Sequence, residues 1–276
     1  MGGENMTLML DAQNYFKNNQ QIICIEKREP QDNYPEHTHN FDEIVIVTAG
    51  TGKHILNGYP HKLHQGMIFY IRSSDVHLYA ESHHLTLTNI LLQDTHNFMF
   101  LRNIESMLTL FTPQKSIYKF VHKKSLPQIN TLIEEMHQLN LQQNNYLTEC
   151  LFFQLMTLLK QNQITYQKNG STEEKGVQVL KWLATHFEQD LDWNKVAHNF
   201  ALPLRTLYRF IKNYTGLAPQ QYVMKLRLAE AYYQLHNSDK SIINIAVDCG
   251  FKDQSYFSTC FKNEYKLCPS LLRAAG

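Results

Sequence analysis

The spacing of apolar residues changes period near residue 127. Before that point short β-branched or aromatic runs recur at 42–48, 54–56, 66–71 and 85–92. Turn chemistry separates them, with Ala-Gly-Thr-Gly at 49–52, Asn-Gly at 57–58 and Gln-Gly at 65–66. Short strands joined by tight turns predict a small antiparallel sandwich or barrel. From Pro127 the period becomes 3.6. Ile129, Leu132, Ile133 and Met136 line one stripe, and Leu147, Leu151, Leu155 and Leu158 another, which predicts amphipathic helices over 127–142 and 146–161. Such stripes can pack on the sheet or meet a second copy of the chain, and spacing leaves both uses open.

The stretch 161–176 has no apolar period and reads as a linker between two domains. Charge divides at the same place. Residues 1–171 carry 13 basic and 15 acidic residues with 11 of the 14 histidines; residues 172–276 carry 13 basic and 10 acidic. The expected organisation is a sensing and dimerisation domain at 1–165, a linker at 166–175 and an all-α domain at 176–276. The fold class is α+β.

Whole-chain composition adds mainly exclusions. A net charge of +1 names no partner, and 43% hydrophobic against 18% charged residues excludes a disordered or fibrous chain. No apolar run reaches the eighteen or so residues of a bilayer span, and the first residues lack the basic start and apolar stretch of a signal peptide. A cytoplasmic protein without membrane contact is the expectation. Cys24, Cys150, Cys249, Cys260 and Cys268 form no CxxC pair, which argues for buried free thiols over a zinc ribbon or disulfide framework.

The basic half repeats itself. Ala197 pairs with Ala246; after one inserted residue Leu207, Ile211, Lys212, Asn213, Leu217 and Pro219 pair with Phe257, Phe261, Lys262, Asn263, Leu267 and Pro269. Each unit predicts a helix-turn-helix: a short helix (193–200; 242–249), a turn at Ala201-Leu202 or Gly250-Phe251, then a second helix with a polar start. Leu207, Phe210 and Ile211 form its buried face in the first unit, and Phe257, Cys260 and Phe261 in the second. Pro219 can open a joining helix over 220–236, since a first-turn residue needs no amide donor.

The outward faces carry the chemistry. Arg205 and Arg209 are four apart and share one side of a helix, where an arginine fork matches the two acceptors of a guanine edge. Tyr208 lies on that flank. In the second unit Gln254, Ser255 and Thr259 take the corresponding places, with Asp253 at the N-cap, while Lys212 and Lys262 are suited to phosphate. Two such helices in tandem in a basic domain point to DNA.

The N-terminal half holds a second constellation, His37-Thr38-His39, then Glu43 and Gly50, with Gly66 followed eleven residues later by His77. An HxH on a strand directs both imidazoles to one face. These spacings resemble the two cupin motifs, whose three histidines and glutamate converge inside a small β-barrel. That resemblance implies either a divalent metal site (Zn, Ni, Mn or Fe) on His37, His39, Glu43 and His77, or a metal-free pocket in which they bond ligand hydroxyls, or a structural cluster. No cofactor is required. The other histidines, His54, His61, His64, His83 and His84, sit near predicted turns and are expected to be solvated.

The run GFKDQSYFSTCFKNEYKLCPS at 250–270, with the double helix-turn-helix around it, resembles the AraC/XylS transcription regulators. Segments 36–58, 69–80 and 204–222 are similar to the L-rhamnose-responsive activators within that family. The resemblance implies a homodimeric transcription activator that binds direct repeats in promoter DNA. It implies a small sugar in the barrel, L-rhamnose or a related deoxyhexose. It places base reading on Arg205, Tyr208, Arg209, Gln254, Ser255 and Thr259, and RNA polymerase contacts at Asp248 and Lys252. Where the family commonly has an arginine late in the second recognition helix, this chain has Thr259. A cupin dioxygenase or sugar isomerase fused to a DNA-binding domain is the alternative.

Overall fold

The structure, a computed structural model, describes residues 8–18, 20–112, 118–142, 144–164 and 170–275. The chain divides into two compact units, the first drawn from residues up to Ile164 and the second mainly from Thr165 onward.

The first unit is one eight-stranded sheet with helices on its outer face. Its strands are β1 (Leu8–Leu10), β2 (Ile23–Arg28), β3 (Tyr34–His39), β4 (Asp42–Leu56), β5 (Tyr59–His64), β6 (Met67–Ile71), β7 (His77–Leu92) and β8 (Lys119–Phe120). Two long antiparallel strands, β4 and β7, form its spine. The leading half of β4 pairs β6 and the trailing half of β7 pairs β2, whereas β3 joins the leading half of β7.

Ala49–Gly52, expected as a turn, is instead the irregular middle of β4. The ladder slips between Val47 and Lys53, and Gly50 takes φ +72° facing His84, itself at φ +47°. A Cβ on Gly50 would lie 2.0 Å from the His84 carbonyl oxygen, so only glycine fits. Extra residues opposite one another bend a strand pair, and here they fold the sheet so that both halves line one interior. The runs 42–48 and 54–56 are therefore one strand. The Asn57-Gly58 turn is as expected, with both residues at positive φ, as a two-residue type I′ hairpin requires.

Period two separates the faces of this sheet. Ile23, Ile25, Ile44, Ile46, Ile90 and Leu92 point outward into a core shared with α2 (Leu126–Leu141) and α3 (Asn145–Gln161). A short helix α1 (Ile104–Leu108) precedes them. Ile129, Leu132, Ile133 and Met136 of α2 pack there, as do Phe152, Leu155 and Leu159 of α3. The Leu147 stripe is thus largely an internal one: Leu155 is fully buried and Leu151 and Leu158 lie against the core, while Leu147 is exposed. The apolar side chains that α3 presents outward are Tyr146, Leu147 and Phe153, with the exposed thiol of Cys150 between them. Glu149 faces in and accepts three backbone amides, from Met99 at 2.7 Å and from Phe100 and Leu101 at 2.8 Å.

Part of the expected linker (residues 166–169) lies outside the described residues. Its end does not remain irregular: Ser171 caps α4 (Thr172–His186) through a reciprocal bond with Glu174, so Lys175 and Gly176 are helical. Gly176 is there because a Cβ would meet the Phe210 ring at 2.4 Å. The expected double helix-turn-helix follows as α5 (Trp193–Asn199), α6 (Leu204–Thr215), α7 (Pro219–Asn237), α8 (Ile242–Asp248), α9 (Gln254–Tyr265) and α10 (Pro269–Ala275). Every repeat partner at a core position is buried: Ala197 and Ala246, Leu207 and Phe257, Ile211 and Phe261, Pro219 and Pro269. Phe210 and Cys260, assigned to the buried faces, are only half-buried. Cys24 and Cys249 are buried and all five thiols are free, but Cys150 is exposed and Cys260 and Cys268 are intermediate. No helix among the described residues is long and apolar enough to cross a membrane.

Candidate functional site

The folded sheet forms a pocket that opens to solvent. His37, His39, Glu43 and His77 all line it, as the spacing implied. The reason is register. His37 and His39 alternate inward on β3, His37 lies directly across from His77 on β7, and Glu43 turns inward while Ile44 turns outward.

The four residues are not equivalent. One donor atom from each of His39, Glu43 and His77 lies within 4.8 Å of the other two. His39 Nε2 is 3.7 Å from Glu43 Oε2, too long for a hydrogen bond. His37 stands beside them, its ring 4.0 Å from that of His77, with Nδ1 held at 2.9 Å by the Pro35 carbonyl. Burial lowers the pKa of His37, His39 and His77 and pushes the Glu43 carboxyl up to about 8. Around neutral pH the cluster is therefore uncharged on its imidazoles and mostly protonated on its carboxyl.

Ring partners fix two imidazoles, His37 through the Pro35 carbonyl and His39 through that of Phe41, and link a third. His39 Nδ1 lies 2.5 Å from the Phe41 carbonyl, which can only accept, so Nδ1 carries the proton and Nε2 offers a lone pair. His77 Nδ1 is 3.0 Å from His54 Nε2, and His54 Nδ1 is 2.6 Å from the Tyr118 hydroxyl. His54, expected to be solvated, is therefore buried support for the cluster. His61 and His64 are also buried, whereas His83 and His84 are exposed as expected. The error has one cause: proximity to a turn does not reveal which sheet face a strand-end residue takes.

The cavity wall contains groups that the motif reading missed, chiefly Glu26, Arg28, Tyr34, Tyr79 and Asn89. Asn89 lies directly opposite Glu26, so both face inward. A polar Asn inside the otherwise apolar run 87–92 was the available signal. Buried atoms Tyr79 Oη, Asn89 Oδ1, His39 Nε2 and His77 Nε2 find no hydrogen-bond partner among the described residues. Such orphans cost about 1–3 kcal/mol each, which makes them a binding wall better than a structural network.

In the second unit Arg205, Arg209 and Lys212 are exposed on one side of α6, opposite buried Leu207 and Ile211. None of the three makes an ion pair among the described residues, in contrast to Asp248, paired with Lys240, and Lys252, paired with Asp190. Tyr208 is half-buried, its ring edge on Trp193 and its hydroxyl accepting from Gln220 at 2.9 Å. On α9, Gln254, Ser255, Thr259 and Lys262 are exposed, and Asp253 caps the helix by accepting from the Tyr256 amide at 2.6 Å. The Thr259 hydroxyl donates to the Ser255 carbonyl at 2.9 Å.

Arg227 of α7 joins the segment after α4 to the second recognition unit. Its guanidinium donates to the carbonyls of Phe187 at 2.7 Å, Gly250 at 2.9 Å and Gln189 at 2.9 Å. One side chain thus ties the end of α4 to the turn of the second unit.

Two family models match the chain. Residues 19–156 match the AraC-like ligand binding domain and residues 196–275 a helix-turn-helix domain. The HTH-type transcriptional activator RhaS of Mannheimia succiniciproducens is 50% identical, over 97% of this chain and 100% of its own. The activator of the same name from Escherichia fergusonii is 37% identical, over 96% of each chain. A solved AraC-type DNA-binding structure from Chromobacterium violaceum is 29% identical over 37% of this chain and 92% of its own, with a TM-score of 0.36.

Proposed function

This chain belongs to the AraC-type family of helix-turn-helix transcriptional activators, and on that premise we propose that a small sugar in the first-unit cavity controls its activity on DNA. The family is one of regulators, so a fused cupin enzyme is set aside. The observation that carries the sugar reading is the cavity itself. Its buried unpartnered hydroxyl, amide and imidazole atoms match a polyol, which brings donors and acceptors together. L-Rhamnose or a related deoxyhexose is the proposed effector, held by His37, His39, Glu43 or His77 with Tyr79 and Asn89.

On the DNA side, α6 and α9 enter successive major grooves over direct repeats. Arg205, Arg209, Gln254, Ser255 and Thr259 read bases, Tyr208 braces α6, and Lys212 and Lys262 grip phosphate. Asp248 and Lys252 are exposed and suited to RNA polymerase. Residues 1–165 form the sensing domain and 176–276 the DNA-binding domain, in a cytoplasmic homodimer. The outward apolar face of α3 supports self-association.

A ligand shifts a two-state equilibrium only through unequal affinity for the two states, so inducer must bind the DNA-competent form more tightly. Calorimetry of the full chain against L-rhamnose, L-fucose and L-mannose tests the reading. One sugar should bind with unit stoichiometry, and Tyr79→Phe with Asn89→Leu should weaken it at least tenfold. If no deoxyhexose gives heat or thermal stabilisation, the effector is not a sugar of this class.

A further inference from the structure

The pocket of the first unit changes from apolar to polar along the ladder that joins β2 to β7. Cys24 pairs with Leu91 on one rung and, two residues on, Glu26 pairs with Asn89. Residues two apart on a strand share a face, so one interior wall passes from carbon to polar atoms within a single step of the ladder. We infer that the apolar end of the pocket, formed by Leu10, Phe41 and Leu91, is a subsite for the C6 methyl group of the effector, and that it selects a 6-deoxy sugar over its 6-hydroxy counterpart. The subsite rests on the sugar reading and adds to it the feature of the sugar that is recognised.

Separate elements build the apolar end. Leu10 lies beside His39 in the parallel pairing of β1 with β3, Phe41 sits between β3 and β4, and Leu91 belongs to β7. All three line the pocket. Ala12, Phe16 and Cys24 are buried with Phe41 and Leu91 in one apolar cluster, and Leu10 and Tyr15 pack against it. The Phe41 ring is held from two directions, stacked on His39 with centroids 4.5 Å apart and edge-on to Tyr15 at 5.3 Å. An end packed in this way resists drawing back to admit water beside a ligand.

The polar atoms stand elsewhere on the wall. Tyr79 Oη and Asn89 Oδ1 are buried without a hydrogen-bond partner among the described residues. Glu43 lies across from Leu91 on β4, but its carboxyl converges with His39 and His77. Two residues along a strand span about 7 Å, so Leu91 and Asn89 are separated by roughly the reach of a pyranose from its C5 substituent to its far hydroxyls. A hexose whose hydroxyls meet these polar groups therefore brings its C5 substituent against Leu10, Phe41 and Leu91, whose side chains offer only carbon.

A methyl group placed there leaves water for an apolar surface. A hydroxymethyl group instead carries a hydroxyl that loses its water and gains no partner. In an apolar pocket one missing carbon weakens recognition about 10-fold or more, and one added hydroxyl weakens it by up to about 100-fold. Three sugars isolate these effects. L-Rhamnose, L-mannose and L-lyxose share their configuration at C2, C3 and C4 and carry at C5 a methyl group, a hydroxymethyl group and hydrogen, respectively. Their ring hydroxyls are common, so their ranking reports the apolar end of the pocket.

The test is calorimetric titration of the full chain with these three sugars. The parent should bind L-rhamnose about 10-fold or more tightly than either L-mannose or L-lyxose. Leu91→Thr, which shortens the apolar side chain and adds a hydroxyl, should reduce the preference for L-rhamnose over L-mannose by about fivefold or more, whereas Leu91→Met should keep it. Tyr79→Phe should weaken all three sugars alike and leave their ratios unchanged. Circular dichroism of each variant separates a lost preference from a lost fold, and the ranking by the parent decides the matter even if Leu91→Thr does not fold. A parent that binds L-mannose or L-lyxose as tightly as L-rhamnose overturns the methyl subsite and leaves the sugar reading standing. An unchanged ratio in folded Leu91→Thr does the same. Binding of none of the three overturns the sugar reading, and the subsite falls with it.

Discussion

Replacing Arg227 by Met should unfasten the second unit without emptying its core. The substitution keeps an aliphatic stem of similar length and deletes three charge-assisted hydrogen bonds to carbonyls. Two of those bonds are partly shielded and the one to Gln189 is at the surface. Shielded bonds to a charged donor are worth about 1–1.5 kcal/mol each here and the exposed one less, for a total of about 2–3 kcal/mol. Both tryptophans, Trp182 and Trp193, lie in this unit, so fluorescence excited selectively at tryptophan reports its unfolding. With a urea slope of about 1.5 kcal/mol per molar, the midpoint should fall by roughly 1–2 M. Gly250→Ala attacks the same joint from the other side. Gly250 has φ +83°, and a Cβ would lie 2.3 Å from the Glu188 carbonyl oxygen. The left-handed conformation alone costs about 1–2 kcal/mol for alanine, and the 187–190 loop must also move. Because both substitutions break the same Arg227–Gly250 contact, the double variant should lose less than the sum of the singles. A midpoint shift below about 0.3 M for Arg227→Met, or strict additivity, would refute the joint as drawn.

On DNA, Arg205→Ala should cost about 1–3 kcal/mol at one base pair and relax preference there, whereas Lys212→Ala should weaken all sequences alike and lower the salt slope by about one unit. Binding to a full set of single-base operator variants at two salt concentrations distinguishes them, and equal losses on every operator for Arg205→Ala would remove that residue from base reading. Glu149→Gln turns a carboxylate that accepts three amides into a group with one acceptor oxygen and a misplaced donor. It should destabilise the 98–101 loop by about 2 kcal/mol. Hydrogen exchange at the amides of Met99, Phe100 and Leu101 should speed accordingly, and unchanged protection would count against the assignment.

What the sequence determined by itself is what local patterns encode. The helix-turn-helix repeat was legible because each helix declares its buried face every three or four residues, and Ala197, Leu207 and Ile211 are core for the same reason as Ala246, Phe257 and Phe261. The inward convergence of His37, His39, Glu43 and His77 was legible because a strand alternates faces whatever it pairs with. Tertiary structure decided everything that depends on which strands are neighbours. Gly50 reads as a turn until His84 is known to lie against it. His54, His61 and His64 read as surface residues until the fold buries them. Glu26 and Asn89 become cavity residues only through the pairing of β2 with β7. His37 and His77 have the same spacing credentials, yet one is tied to a carbonyl at Pro35 while the other backs onto His54 and Tyr118, 41 residues further along the chain than His77. Hydrogen-bond partners at such separations leave no period in a sequence, because the contact is made by the fold and not by the chain between them.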